Sequence, residues 1–481
     1  MKRKTVIRKQ AVLLVILCCM LAPVRGVAQE TESPEEVLVI PEKNIFTDAG
    51  YAVLGLTSSN VILNLANRLA DQSFAHTTFR SIWENMANPA AWFWEDGDRF
   101  LVNQFCHPYQ GATYFASART NGFGFYQSML FVPLGALMWE IALEPEPAIN
   151  DVITTTIGGI AFGEMLHRLF LEANASSSVP VKIIGYVLSP FSGYFGMYNR
   201  PVYETGGNTM CAVSVKSGIE KTFAFFPEHE EHADSWNYPG GHCDVHIVYG
   251  DPYIRQSALP YEHFELSAAI SSNIATYNAA IVSDGYLFSL NPLQTERSFT
   301  STGLSMHLDF YNATNEIVDN IGYGNIQFSS SAIGWTVKNQ YLISGTSRLE
   351  TRVHCNAVVW GTSMYNADFS VDDYWVPLGN THGSYGVGEN IKMSCTLYQS
   401  RMGNLYFNAY AYHIFTVPVT ENHSRGNVFF LYGSFGYEFP LTAKIGIGAQ
   451  GTFWGLFGMY DSAGSVNRRL VSNGLYVRYS F

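Results

Sequence analysis

The last eight residues, GLYVRYSF, alternate strictly: Leu475, Val477, Tyr479 and Phe481 lie on one face of an extended chain, and Tyr476, Arg478 and Ser480 on the other. That is the period of a strand with one apolar and one polar face. The same pattern runs upstream. Leu405, Phe407, Ala409 and Ala411 alternate with Tyr406, Asn408, Tyr410 and Tyr412, and Ile445, Ile447 and Ala449 alternate with Gly446, Gly448 and Gln450. Twelve such segments are predicted, near 209–226, 242–250, 261–272, 276–290, 299–311, 323–338, 341–361, 384–400, 403–417, 426–439, 443–460 and 467–481.

Alternating segments of about ten residues separated by turns are the signal of a lipid-embedded barrel, and an even strand number is its habit in bacteria. The fold class expected is therefore a membrane β-barrel of about twelve antiparallel strands, over 206–481. A strand closing on Phe481 resembles the C-terminal signature of Gram-negative outer-membrane barrels. Counting back from a periplasmic C-terminus puts the short segments Ser400–Asn404 and Phe439–Lys444 on the periplasmic side and the long segments 227–241 and 362–383 outside. Short inner turns and long outer loops are the expected asymmetry.

Between 44 and 205 the period changes to that of helices, giving an α-helical domain ahead of the barrel. Asp48–Arg68 and Arg119–Glu140 each enclose a long uncharged stretch, and Asp151–Arg168 reads as a third helix capped by Asn150 or Asp151. The first two approach the ~20 residues of a membrane span. Their scattered Asn, Ser, Thr and Gln favour helices buried within protein or lying at the membrane face over an inner-membrane protein.

Composition agrees with export. Charged residues make up 14% and aromatics 15% of the chain, against about 25% charged in typical soluble domains. Residues 1–28 have a basic start, an apolar run and Gly26-Val27-Ala28 before a cut, which is a secretory signal, with 29–43 as linker. Its removal takes the formal charge from −12 to −18, because Lys2, Arg3, Lys4, Arg8, Lys9 and Arg25 leave with it. So acidic a chain excludes nucleic acid as a partner. Cys106, Cys211, Cys243, Cys355 and Cys395 remain, an odd number at wide spacing, which argues against a disulfide framework or a zinc site.

The candidate chemistry lies in the helical region. His107, Arg119, Glu140 and Asp151 are the candidate catalytic residues: His107 as general base, Glu140 or Asp151 orienting it, and Arg119 holding an anionic headgroup. Tyr114, Glu144, Glu164, His167 and Arg168 are candidate binding residues. Ionisable groups beside apolar helices normally pair or act. Glu140 and Glu144 are four apart, with Arg119 and Arg168 as natural partners. Glu164 and His167 form half of a carboxylate-bridged metal motif whose second half is missing, so no metal or cofactor is assigned. The bracing reading, a salt-bridged helical bundle, competes with the enzyme. Asp151, Thr155, Gly158 and Phe162 share a side, with Glu164 and His167 almost opposite. A second cluster, His229, His232, His242 and His246 among acidic residues, reads as a solvated outer loop running into a strand.

The run DRFLVNQFCHPYQGATYFASARTNG, the later WE, ND, TTTIGG and GE elements, and SPFSGYFGMYNR resemble the bacterial domain-of-unknown-function 3943 family over about 88–200. The resemblance implies an outer-membrane setting with a barrel after the domain, and no established activity. The function expected is an outer-membrane barrel of structural or transport type with a helical plug or periplasmic helical domain; the alternative is a membrane-surface enzyme acting on lipid or glycolipid. Outer-membrane lipid and the barrel assembly machinery are the expected partners.

Overall fold

A computed structural model describes residues 44–481 except 71, 73–74, 96–99, 191, 193–210, 227–236, 275, 315–325, 365–382, 420–423 and 462–463. The signal segment and linker, most of the two long outer loops, and His229 and His232 lie outside the described residues. The chain forms two compact units: Phe105–Cys211 with the helices before Asp96, and Gly97–Gln104 with Ala212–Ser480.

The helical unit contains α1 (Ile45–Leu69), α2 (Phe79–Ala87), α3 (His107–Thr120), α4 (Phe125–Ser128), α5 (Phe131–Ala142), α6 (Ile149–Ala175) and α7 (Val179–Leu188). Helix α1 is long and apolar enough to cross a membrane, by length and composition. The uncharged stretch from Arg119 to Glu140 is not one helix. It breaks at Asn121–Gly122, where Gly122 takes φ 82°, a conformation open to glycine at little cost. Helix α6 starts before its expected caps: Ala148 is the N-cap, and Asn150 and Asp151 lie buried inside the first turn. Glu140 Oε2 accepts from the Ala148 N–H at 2.8 Å and does the capping from another helix.

Helices α3 and α6 pack in parallel through small residues. A Cβ on Gly111 would meet the Thr155 carbonyl oxygen at 2.1 Å, one on Gly159 would meet Gly111 Cα at 2.6 Å, and one on Gly163 would meet Phe115 Cβ at 2.7 Å. Only glycine permits that approach. The four-residue spacing of Thr155, Gly159 and Gly163 lays α6 along His107, Gly111 and Phe115 of α3.

The barrel has twelve antiparallel strands: β1 (Cys211–Phe225), β2 (Pro239–Tyr249), β3 (Phe264–Ser272), β4 (Tyr277–Gln294), β5 (Ser298–Thr314), β6 (Ile326–Ser344), β7 (Ser347–Met364), β8 (Gly383–Gln399), β9 (Asn404–Thr416), β10 (Gly426–Pro440), β11 (Ile445–Tyr460) and β12 (Gly464–Ser480). Each pairs with its neighbour in sequence, and β1 closes on β12 with Val215 opposite Tyr479. Closure leaves no strand edge unpaired. Strand β6 runs six residues past its expected end, because Lys338 and Gln340 continue the inward set until the Gly345–Thr346 turn. The expected short turns share one end with the C-terminus; the Gly250–His263 connection, also at that end, is longer and folds back on β4 through Tyr261 N–H to Tyr286 O and Ser289 N–H to Ser257 O.

Alternation decides what the wall shows. Ile219, Phe407, Phe435, Leu475 and Val477 point outward and are more than 49% exposed, an apolar belt of the kind a bilayer's hydrocarbon covers. Within the barrel unit, Phe100 stacks on Phe310 with ring centroids 5.5 Å apart, and Ser329 Oγ donates to Gln104 Oε1 at 2.6 Å. Phe310 and Ser329 alternate with the lumenal Asp309, Tyr311 and Ser330, so this short segment lies on the outer face of the wall.

Candidate functional site

The helical candidates form three separate knots. In the first, His107 Nδ1 is 3.1 Å from Thr155 Oγ1, and its Nε2 is 3.8 Å from Asp151 Oδ2. All three side chains are buried. Burial lowers the His107 pKa to about 4, because the charged imidazolium loses its hydration. The ring is therefore neutral in the folded protein at pH 7. Free histidine titrates near 6.5, so the unfolded chain binds the extra proton as pH falls through 6.5, and the folded chain does so only near 4. The stability at stake is present above pH 6.5 and is lost between 6.5 and 4, in all about 3 kcal/mol. Proteolysis of the helical unit across that range should show a steep acid-side rise, flattened in His107→Gln. An equally steep rise in the variant would assign the dependence to other groups.

The second knot is Arg119, Glu164 and Arg168. Arg119 Nε and a terminal guanidinium nitrogen donate to Glu164 at 2.7 and 3.0 Å, its other nitrogen donates to the Phe123 carbonyl at 2.7 Å, and Arg168 Nε reaches Glu164 Oε1 at 2.9 Å. Thus Arg119 and Arg168 meet on Glu164. Glu164 faces α3 with the glycine row, not the opposite side of α6, because its longer side chain reaches across the close contact. His167 is directed elsewhere, its Nδ1 3.3 Å from Ser192 Oγ. Among the described residues no three His, Cys, Asp or Glu side chains converge as metal ligands, and Cys106, Cys211, Cys243, Cys355 and Cys395 form no disulfide.

The third knot braces the α5–α6 connection. Helix α5 ends at Ala142, so Glu144 lies beyond it and does not share a helical face with Glu140. Trp139 Nε1 donates to Glu144 Oε2 at 2.7 Å, and Asn85 Nδ2 to the Glu144 carbonyl at 2.9 Å. Tyr114 ties α1, α3 and α5 together: its hydroxyl donates to Asn60 Oδ1 and accepts from Gln110 at 2.7 Å, while its ring fills the space at Gly135. Burial pushes the Tyr114 hydroxyl well above its usual titration range.

A larger constellation, absent from the sequence-derived candidates, fills the barrel lumen. Lys338 Nζ on β6 donates to Glu265 on β3 at 2.9 Å, to Asp284 on β4 at 2.7 Å and to His263 at 2.9 Å. Arg352 on β7 also pairs with Glu265. Lys392 on β8 donates to both carboxylate oxygens of Asp309 on β5 at 3.0 Å, and Tyr412 on β9 to the second of them at 3.0 Å. Toward the long-loop end, Tyr311 on β5 contacts Phe430 on β10, Trp454 on β11 and Tyr412, with ring centroids 4.6–6.0 Å apart. Phe328 on β6 stacks on Phe430 at 4.8 Å. The aromatic partners stand four to six strands apart around the wall, so those contacts cross the lumen, while Lys392 and Asp309 span three strands and Lys338 reaches two strands to Asp284 and three to Glu265. His242, Asp244 and His246 lie in β2, within the strand expected over 242–250; Gln450 on β11 donates to Asp244 at 3.3 Å. The signal for this set was legible: charges at lumenal positions within otherwise alternating strands.

Residues 91–191 match the model of the family described as Domain of unknown function (DUF3943), the family that the sequence resembles over this region. No curated protein matches the chain. Solved structures similar to it include the NanC porin (9% identity, 55% of this chain and 98% of that one, TM-score 0.27), a Pseudomonas aeruginosa FadL homologue (10%, 57% and 90%, 0.25) and the P. putida toluene transporter TodX (9%, 56% and 89%, 0.23).

Proposed function

We propose that this protein is an outer-membrane β-barrel of structural or transport type whose lumen is shut at rest by its own side chains. The observation that carries this reading is the set of cross-lumen contacts around Tyr311. A water-filled pore keeps opposite walls apart; here they touch, and the charges beneath the aromatic layer neutralise one another. Transport on this reading needs those contacts to part. The helical unit acts as a braced scaffold: His107, Arg119, Glu140 and Asp151 are each at most 8% exposed, which disfavours access of a lipid headgroup to them. The arrangement that favours the alternative, an enzyme, is the Thr155–His107–Asp151 line, and its burial is better suited to holding α3 on α6.

An outer-membrane location is supported by the apolar belt, which suits insertion by the barrel assembly machinery of a Gram-negative cell. Density separation of membranes tests it. The full-length protein is expected in the outer-membrane fraction as a heat-modifiable band, with Phe481 deletion lowering the amount inserted. Recovery in the inner membrane would overturn the proposal.

A further inference from the structure

The helical unit is turned inside out. In a soluble bundle a surface helix shows polar residues to water and apolar ones to its neighbours. Helix α1 does the reverse. Its Ser59, Asn60 and Asn64 are buried against other helices: Ser59 Oγ lies 2.9 Å from Thr113 Oγ1 on α3, and the two amides donate to the Gly135 and Leu143 carbonyls at 3.0 and 2.9 Å. Leu54, Val61, Ile62 and Leu65 face outward, each between 43% and 53% exposed. Ser58 turns its hydroxyl back onto the Leu54 carbonyl at 2.7 Å and so is satisfied within its own helix. Of the most apolar window of α1 only 33% is buried, too little for the core helix of a soluble domain.

Helix α2 adds a second row. Phe79, Trp83 and Met86, at i, i+4 and i+7, share one side with exposures of 94%, 68% and 63%, and Arg80 pairs with Glu84 beside it, Nε to Oε1 2.8 Å. Helix α5 links the two: Asn60 on α1 donates to its Gly135 carbonyl, Asn85 on α2 donates to its Glu140 carbonyl at 3.3 Å, and its Leu134 and Leu137 are exposed as well. An exposed apolar surface of this extent marks a binding face.

We propose that the helical unit is a monotopic membrane module, with the outward rows of α1 and α2 resting in the acyl layer of the bilayer and Trp83 and the Arg80–Glu84 pair at head-group depth. Helix α1 lies in the layer and does not cross it, because α3 and α5 occupy its inner side. Three features select lipid over a protein partner. The amides of α1 are satisfied within the bundle, as hydrocarbon requires. A row of aromatic and apolar residues beside charges is the make-up of an amphipathic helix at a membrane surface. The chain also enters α3 directly from Phe100–Gln104, which Phe310 and Ser329 hold on the lipid-facing side of the barrel wall, so the unit is tethered at an interface the barrel already makes with lipid.

The experiment uses the full-length protein with each native cysteine changed to serine, folded into phosphatidylcholine vesicles and carrying one bimane label. Val61→Cys and Leu65→Cys report on α1, Arg80→Cys on the polar edge of α2, and Phe407→Cys on the barrel belt as reference. Brominated acyl chains should quench positions 61 and 65 as strongly as 407, with little effect of aqueous iodide; position 80 should show the reverse. Ile62→Cys stands in for either α1 site should labelling leave the helical unit open to protease. Quenching of positions 61 and 65 by iodide, or protection from both quenchers, as a second copy covering the face gives, would overturn the proposal. Loss of bromolipid quenching at 407 as well would overturn the membrane reading together with it.

Discussion

Glu164→Ala is expected to unfold the helical unit while leaving the barrel intact. Glu164 is fully buried, and its carboxylate accepts from Arg119 at 2.7 and 3.0 Å and from Arg168 at 2.9 Å. Truncation leaves two guanidinium groups in a desolvated place without that carboxylate. Breaking a buried pair from one side costs about 3–5 kcal/mol, a large part of the stability of a domain. Limited proteolysis of the full-length protein should then cut between 45 and 188 while β1–β12 stays protected. The triple change Arg119→Met, Glu164→Leu, Arg168→Met should restore much of the resistance, since a buried triad can be replaced by apolar residues at little cost. Wild-type resistance in Glu164→Ala would show that the triad does not hold α3 against α6.

The second large effect is on permeability. Replacing Tyr311 and Phe430 together by Ala removes rings that touch Tyr412, Trp454 and Phe328 from opposite walls. Each large-to-small change in a packed core costs about 3–5 kcal/mol, which strand pairing around the closed barrel must absorb. Liposomes containing the double variant should swell rapidly in small sugars, and those containing the intact protein should not. A folded double variant as tight as the parent would mean that the Lys338 and Lys392 clusters seal the lumen by themselves.

The strands were legible because one face of each meets lipid and the other does not, so a period of two survives along the whole C-terminal region. Strand ends were less so. The expected strand stops at Lys338, since a lumenal lysine looks like a loop residue until Glu265, 73 positions away, is brought beside it. The lumenal seal has the same difficulty: Tyr311 and Tyr412 are 101 positions apart and meet only after closure. In the helical region the candidate residues were the right ones to watch, but their pairing was not readable. Spacing alone put Glu140 and Glu144 on one face, whereas the helix stops at Ala142. Burial, which makes His107 neutral and leaves Arg119 committed to Glu164, is a property of the packed glycine row of α6 and not of any local motif.

The most direct test of a shut lumen is current through single molecules of the intact protein in a planar bilayer. Insertion verified by a heat-modifiable band should give a flat baseline, without a steady open level, at moderate voltage of either sign. A constant ohmic current from the moment of insertion would mean that the walls joined through Tyr311, Phe430 and the Lys392–Asp309 pair stand apart in the membrane, and that the protein is an open channel.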